Sequence, residues 1–159
     1  DGHAHLVQIA QDQTTAPNLV ALLENPDVTK IFHYGRFDIA ALRHRFGART
    51  SPVYCTKIAS KLVRTYTDRH GLKYLLAELL GVDISKQQQS SDWGASELSD
   101  AQVAYAASDV LHLHAVKAVL DGMLVREGRM ELAEQCFAFL PHRAELDLQG
   151  WPDIDIFSH

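Results

Sequence analysis

A chain of 159 residues that is 47% hydrophobic and 22% charged has the length of one ordinary domain and the mix of a folded globular protein, so fibrous and disordered classes drop out. No apolar run approaches the roughly 18 residues of a membrane span, and the opening DGHAHLVQIA lacks the basic start and apolar core of a signal peptide. The net charge of −5 argues against a protein that coats nucleic acid, and two cysteines far apart, Cys55 and Cys136, make a reducing cytoplasm the expected compartment.

Ala4 to Ala10 has the short apolar content of a strand. Pro17 to Glu24 reads as a helix with proline in its first turn and NPD ending it. Lys30 to His33 (KIFH) is a buried-strand candidate that Gly35 breaks; apolar residues from Phe37 to Phe46 then keep helical spacing until Gly47. A third short strand, VYC, follows Ser51-Pro52. Beyond it the pattern is helical: Lys57 to Tyr66, Leu72 to Leu80 closed by Gly81, Asp100 to Val125 with a break, and Met130 to Phe139 before Pro141. The early βαβαβ alternation predicts an α/β fold, a partly parallel sheet flanked by helices, with a helical C-terminal half.

Charge is unevenly spread. From Arg36 to Lys73 nine Lys/Arg face two Asp, a window of +7 against −12 for the remainder. Such a window attracts a phosphate-rich ligand, with Lys57, Lys61 and Arg64 as the expected phosphate contacts, unless it is only a set of solvated helix faces. None of the nine histidines forms His-x-x-x-His on a clear helix.

Two Tyr-x-x-x-Asp spacings stand out, Tyr34 with Asp38 and Tyr105 with Asp109. Tyr105 and Asp109 lie one turn apart on one helix face and present a phenol and a carboxylate to one point. Asp109 is mid-helix, where no capping role accounts for it. Asp38 follows a strand and a glycine turn, at the carboxyl end of a strand where α/β proteins place ligands, although a first-turn carboxylate can also serve only the helix dipole. Two-metal phosphodiester hydrolysis needs several carboxylates converging from different elements, because hard divalent cations require anionic oxygens. With its ordinary pKa near about 10, Tyr105 suits an orienter of water better than a base.

KIFHYGRFD and YAASD resemble the second and third motifs of the DEDD-type 3′-5′ exonucleases, in the Tyr-x-x-x-Asp subgroup. CTKIASKLV, HGLKYLLAELLGVDISK, QSSDW and LSDAQVAYAASDVLHL resemble ribonuclease D in the same order, from roughly Lys30 to Leu113. The resemblance implies a ribonuclease H-like mixed sheet, two Mg²⁺ or Mn²⁺ ions, and release of nucleoside monophosphates from RNA 3′ ends, single-stranded or structured, with no membrane and no obligate protein partner. It assigns Asp38 and Asp109 to the metal centre, Tyr105 to positioning water, His33 to substrate binding and Asp92 to a supporting role. The family's first motif, Asp-x-Glu on the central strand, does not occur in these residues, and Asp153-Ile154-Asp155 reads as a surface tail. The expectation is therefore a single exonuclease domain over 1–159, without a C-terminal helical RNA-binding domain, whose activity requires about 40 to 60 upstream residues carrying Asp-x-Glu. In that arrangement Ala4 to Ala10 is an outer strand without its neighbours. A non-catalytic RNA-binding descendant and a DNA 3′-5′ exonuclease stay open as alternatives, since no residue visibly reads a ribose 2′-hydroxyl.

Overall fold

The computed structural model describes residues 2–159. The elements run α1 (Pro17–Glu24), β1 (Lys30–Phe32), α2 (Arg36–Phe46), β2 (Val53–Cys55), α3 (Thr56–Val63), α4 (Leu72–Leu80), α5 (Asp100–Leu111), α6 (Leu113–Arg126) and α7 (Met130–Leu148). Strands β1 and β2 are parallel, with Lys30 opposite Val53, Ile31 opposite Tyr54 and Phe32 opposite Cys55. Parallel neighbours need a crossover connection, which α2 supplies. All three residues of β2 are buried, as expected for a strand covered on both faces.

The helices close over this pair through one apolar stripe. Leu113, Val116, Leu120 and Leu124 recur at three- and four-residue spacing along α6 and are buried. Val116, Leu120 and Leu124 meet Ala59 and Val63 of α3, Leu75 and Leu76 of α4, and Ala133 and Phe137 of α7 in a single core. Helices α2 and α4 end at Gly47 and Gly81, whose φ of +69° and +66° is the left-handed stop that a side chain disfavours.

Three expectations need correction. Ala4 to Ala10 forms no strand: it pairs with neither β1 nor β2, and side chains fasten it instead, Gln8 Nε2 donating to Ala95 O at 2.9 Å and Arg45 to Gln11 O. Helix α7 does not stop before Pro141 but runs through it to Leu148. Its buried residues Phe137, Leu140 and Ala144 lie on one face across the proline, so burial outweighs the lost N–H. Helix α3 ends at Val63, not Tyr66, because Arg64 leaves the helix and buries its guanidinium, donating to Ser60 Oγ at 2.9 Å, Arg69 O at 2.8 Å and the Glu78 carboxylate. Arg64 is thus internal and unavailable as a phosphate contact.

The C-terminal half of α7 is pinned to α2. Arg36 donates twice to Asp147, at 2.7 and 2.6 Å, and Arg43 donates to Glu145 at 3.1 Å. The hydrogen bonds from Arg36, with the nearby charges of Arg36 and Arg143, hold the Asp147 carboxyl below its ordinary value. A carboxylate whose folded pKa is depressed adds stability above its unfolded value of about 4 and loses it as pH falls through the folded value. Asp147→Asn should therefore lower the unfolding free energy by about 1–2 kcal/mol at pH 7. In urea titrations the gap to the parent should shrink below pH 4; a gap independent of pH would show that Asp147 acts through packing alone.

Candidate functional site

The chain leaves β1 in a tight turn, His33-Tyr34-Gly35, and enters α2 with Gly35 as N-cap. Gly35 is required here by space: a Cβ would stand 2.6 Å from Phe32 Cβ and 2.7 Å from its Cγ. Tyr34 adopts a left-handed backbone, φ +64°, rare for a bulky residue, with Lys57 Nζ 3.8 Å over its ring. The turn delivers Asp38 into the first turn of α2.

His33 is fixed from behind. Its Nδ1 lies 2.9 Å from Thr56 Oγ1, and that hydroxyl donates to Phe32 O at 3.2 Å. Burial, followed by the charge of Lys57, pushes the imidazole down to about 4, so His33 is neutral near pH 7.

The other wall is α5. Ser99 and Gln102 form a reciprocal capping box at its start. The Gln102 side chain is buried and donates to Ser91 Oγ at 3.1 Å and Asp92 O at 2.9 Å. This ties the preceding loop to the helix and sets Trp93 against Tyr105, ring centroids 5.9 Å apart. Tyr105 stands one turn from Asp109; burial first, then that carboxylate, raise the phenol's pKa. Asp92 lies outside the cavity, its Oδ1 accepting from Gly94 N at 3.0 Å.

All four candidate site residues, His33, Asp38, Tyr105 and Asp109, line one cavity of about 770 Å³, with Lys57, Tyr34 and Phe37. Burial raises the pKa of Asp38 despite a compensating backbone N–H, and raises that of Asp109 despite the opposing effect of the neighbouring Tyr105 phenol. Dipole compensation alone would move Asp38 the other way. The lining lysines have other partners: Lys57 sits over Tyr34, Lys73 lies 3.4 Å from Asp83, and Lys86 is 5.5 Å from the Tyr74 ring. Two desolvated carboxylates without a cationic partner suit a hard divalent cation. Among the described residues, no group of three or more His, Cys, Asp or Glu is arranged to hold a metal, so Asp38 and Asp109 alone do not complete a coordination sphere.

Sequence reasoning passed over Thr56, Trp93 and Gln102. Ser-x-x-Gln before a helical run is a readable cap, whereas the contacts of Thr56 and Trp93 are tertiary and have no local signature. Asp153 and Asp155 line a separate cavity with Arg36 and Arg143.

Comparison with known proteins adds relatives to this geometry. The 3′-5′ exonuclease family matches residues 1–124. Brucella melitensis NrnC is 64% identical with a TM-score of 0.93, the match covering 96% of this chain and 74% of that one. The same protein with bound Mg²⁺ matches at 62% identity and TM-score 0.91, and bound to pGG at 63% and 0.92, each over 96% and 74% of the two chains. Ribonuclease D of Gluconacetobacter diazotrophicus is 39% identical over 85% of this chain and 37% of its own length. DNA polymerase I of Aquifex aeolicus is 36% identical over 95% of this chain and 30% of its own. The chain thus spans little more than a third of the ribonuclease D relative it matches.

The turn at Gly35 predicts a steric result. Gly35→Ala should cost about 1–3 kcal/mol, because the new methyl meets the root of the Phe32 side chain, which cannot swing away as a flexible tip would. Thermal unfolding checks it; an unchanged midpoint would show that Phe32 yields freely.

Proposed function

We propose that this chain, which belongs to the 3′-5′ exonuclease family, hydrolyses the terminal phosphodiester at RNA 3′ ends and releases nucleoside monophosphates. The observation that carries the reading is the convergence of Asp38 and Asp109, from separate helices, on one cavity with Tyr105 and His33. Asp38 and Asp109 would hold divalent cations, Mg²⁺ or Mn²⁺, which supply the phosphate neutralisation and water activation that carboxylates alone do not.

Tyr105 orients the attacking water. Its raised pKa keeps the phenol protonated near neutral pH. One turn from Asp109, the phenol can donate a hydrogen bond to that carboxylate and use its lone pairs to accept one from water. In-line attack on the phosphorus then expels the 3′ oxygen of the penultimate nucleotide, which takes up a proton. Two carboxylates are half of the set that this chemistry needs, and the other half is proposed to come from an Asp-x-Glu strand outside these residues, within one exonuclease domain and in the cytoplasm.

RNA is favoured by the ribonuclease D relative and by the relative bound to pGG. The similarity to DNA polymerase I supports a second reading, a DNA 3′-5′ exonuclease. Matched RNA and DNA oligonucleotides separate the two.

Joined to its Asp-x-Glu strand, the protein should shorten 5′-labelled single-stranded RNA from the 3′ end in Mg²⁺ or Mn²⁺ and stop on chelation. Degradation unchanged in excess chelator would eliminate the mechanism. The 159 residues alone should bind Mn²⁺ weakly and leave RNA intact. Asp109→Asn should lower kcat/KM on the order of a hundredfold or more. Tyr105→Phe keeps the ring and removes the hydroxyl, so kcat should fall roughly ten- to hundredfold with KM near the parent value. Equal kcat in the Phe variant would leave Tyr105 as packing.

A further inference from the structure

We infer that His33 presents a bare Nε2 to the cavity as a hydrogen-bond acceptor and reads a ribose hydroxyl of the 3′-terminal nucleotide. The inference rests on the exonuclease reading and adds to it the group that recognises the sugar.

The argument begins at Thr56. Its hydroxyl has one proton, and its oxygen lies 3.2 Å from Phe32 O, which can only accept, and 2.9 Å from His33 Nδ1. Both contacts are hydrogen bonds at once only when the hydroxyl donates to Phe32 O and Nδ1 carries the ring proton, and that is the tautomer we assign. Nε2 keeps its lone pair. It lies on the opposite side of the ring from Thr56, has no hydrogen-bond partner, and is not among the sealed, unpartnered polar atoms of the interior. His33 lines the cavity that holds Asp38 and Asp109, so this acceptor meets whatever binds there.

An unprotonated nitrogen repels phosphate oxygens, so His33 is not a phosphate contact. Nor does it join Asp38 and Asp109 in a metal-holding group of three. With the phosphate beside the two carboxylates, the donors within a few bonds are the ribose 2′- and 3′-hydroxyls; the proton donors of a base lie on its far edge. The neutrality of the ring, enforced by burial and Lys57, keeps the acceptor available at working pH.

Two measurements test this. The ¹⁵N spectrum of the protein should show His33 with Nδ1 protonated and Nε2 bare; the opposite tautomer overturns the assignment. Equilibrium binding of GMP, 2′-deoxy-GMP and 3′-deoxy-GMP to the Mg²⁺-containing protein then identifies the hydroxyl. His33→Ala should weaken GMP about five- to tenfold. It should weaken one deoxy analogue to the same extent and leave unchanged the analogue lacking the contacted hydroxyl. Thr56→Val should reproduce part of the loss with a mixture of tautomers, and Thr56→Ser should restore the parent pattern. Equal weakening of all three nucleotides, no weakening, or no binding by the parent protein overturns the proposal. The outcomes also separate from the proposed function. Hydroxyl-selective loss in a protein that cleaves no RNA would sink only the exonuclease reading, and RNA cleavage with a hydroxyl-blind His33 would sink only this inference.

Discussion

Desolvation of two carboxylates without a counter-charge is the constraint around which the chain is built. Asp38 and Asp109 are pushed toward protonation by burial, and neither takes part in an ion pair among the described residues. Uncompensated buried charge destabilises a fold. The elements that hold the pair are accordingly over-tied: Arg36 and Arg43 clamp α2 to α7, Gln102 ties α5 to its preceding loop, and Thr56 links α3 to the end of β1. Basic residues of the same stretch of chain have other tasks, with Arg36 on Asp147, Arg64 on Glu78 and Lys57 over Tyr34. The pair is thus left without a counter-charge from the described side chains.

The same arrangement explains why the basic window of the sequence is a poor guide to where a phosphate backbone lies. Arg64 is 1% exposed and serves as an internal staple between α3 and α4. Of the residues expected to meet phosphates, Lys57 lines the cavity and Lys61 lies on an exposed position of α3. Charge counted along a chain says nothing about which guanidinium turns inward.

Local signals were legible where local physics decides. Pro17, Gly47 and Gly81 set helix limits that the structure keeps, and KIF and VYC form the two parallel strands. The order of the motifs identified the 3′-5′ exonuclease family. Signals failed where packing overrides propensity. Pro141 is carried inside α7 because Phe137, Leu140 and Ala144 stay buried on one face across it. Ala4 to Ala10 is apolar enough for a strand but pairs with neither β1 nor β2 and is held by hydrogen bonds from Gln8 and Arg45. Asp38, Tyr105 and Asp109 were legible as chemistry, and His33 through the resemblance; the contact that fixes the His33 ring was not, since Thr56 carries no local mark of it.

The central claim is that Asp38 and Asp109 act on one cation site. Its most direct test is Mn²⁺ titration, followed by electron paramagnetic resonance, of the protein carrying the proposed Asp-x-Glu strand, its Asp38→Asn and Asp109→Asn variants, and the double variant. Coupled ligands predict that each single change weakens Mn²⁺ and that the double change weakens it by less than the two effects combined. Additive losses, or a single variant that binds Mn²⁺ as the parent does, would contradict a shared site.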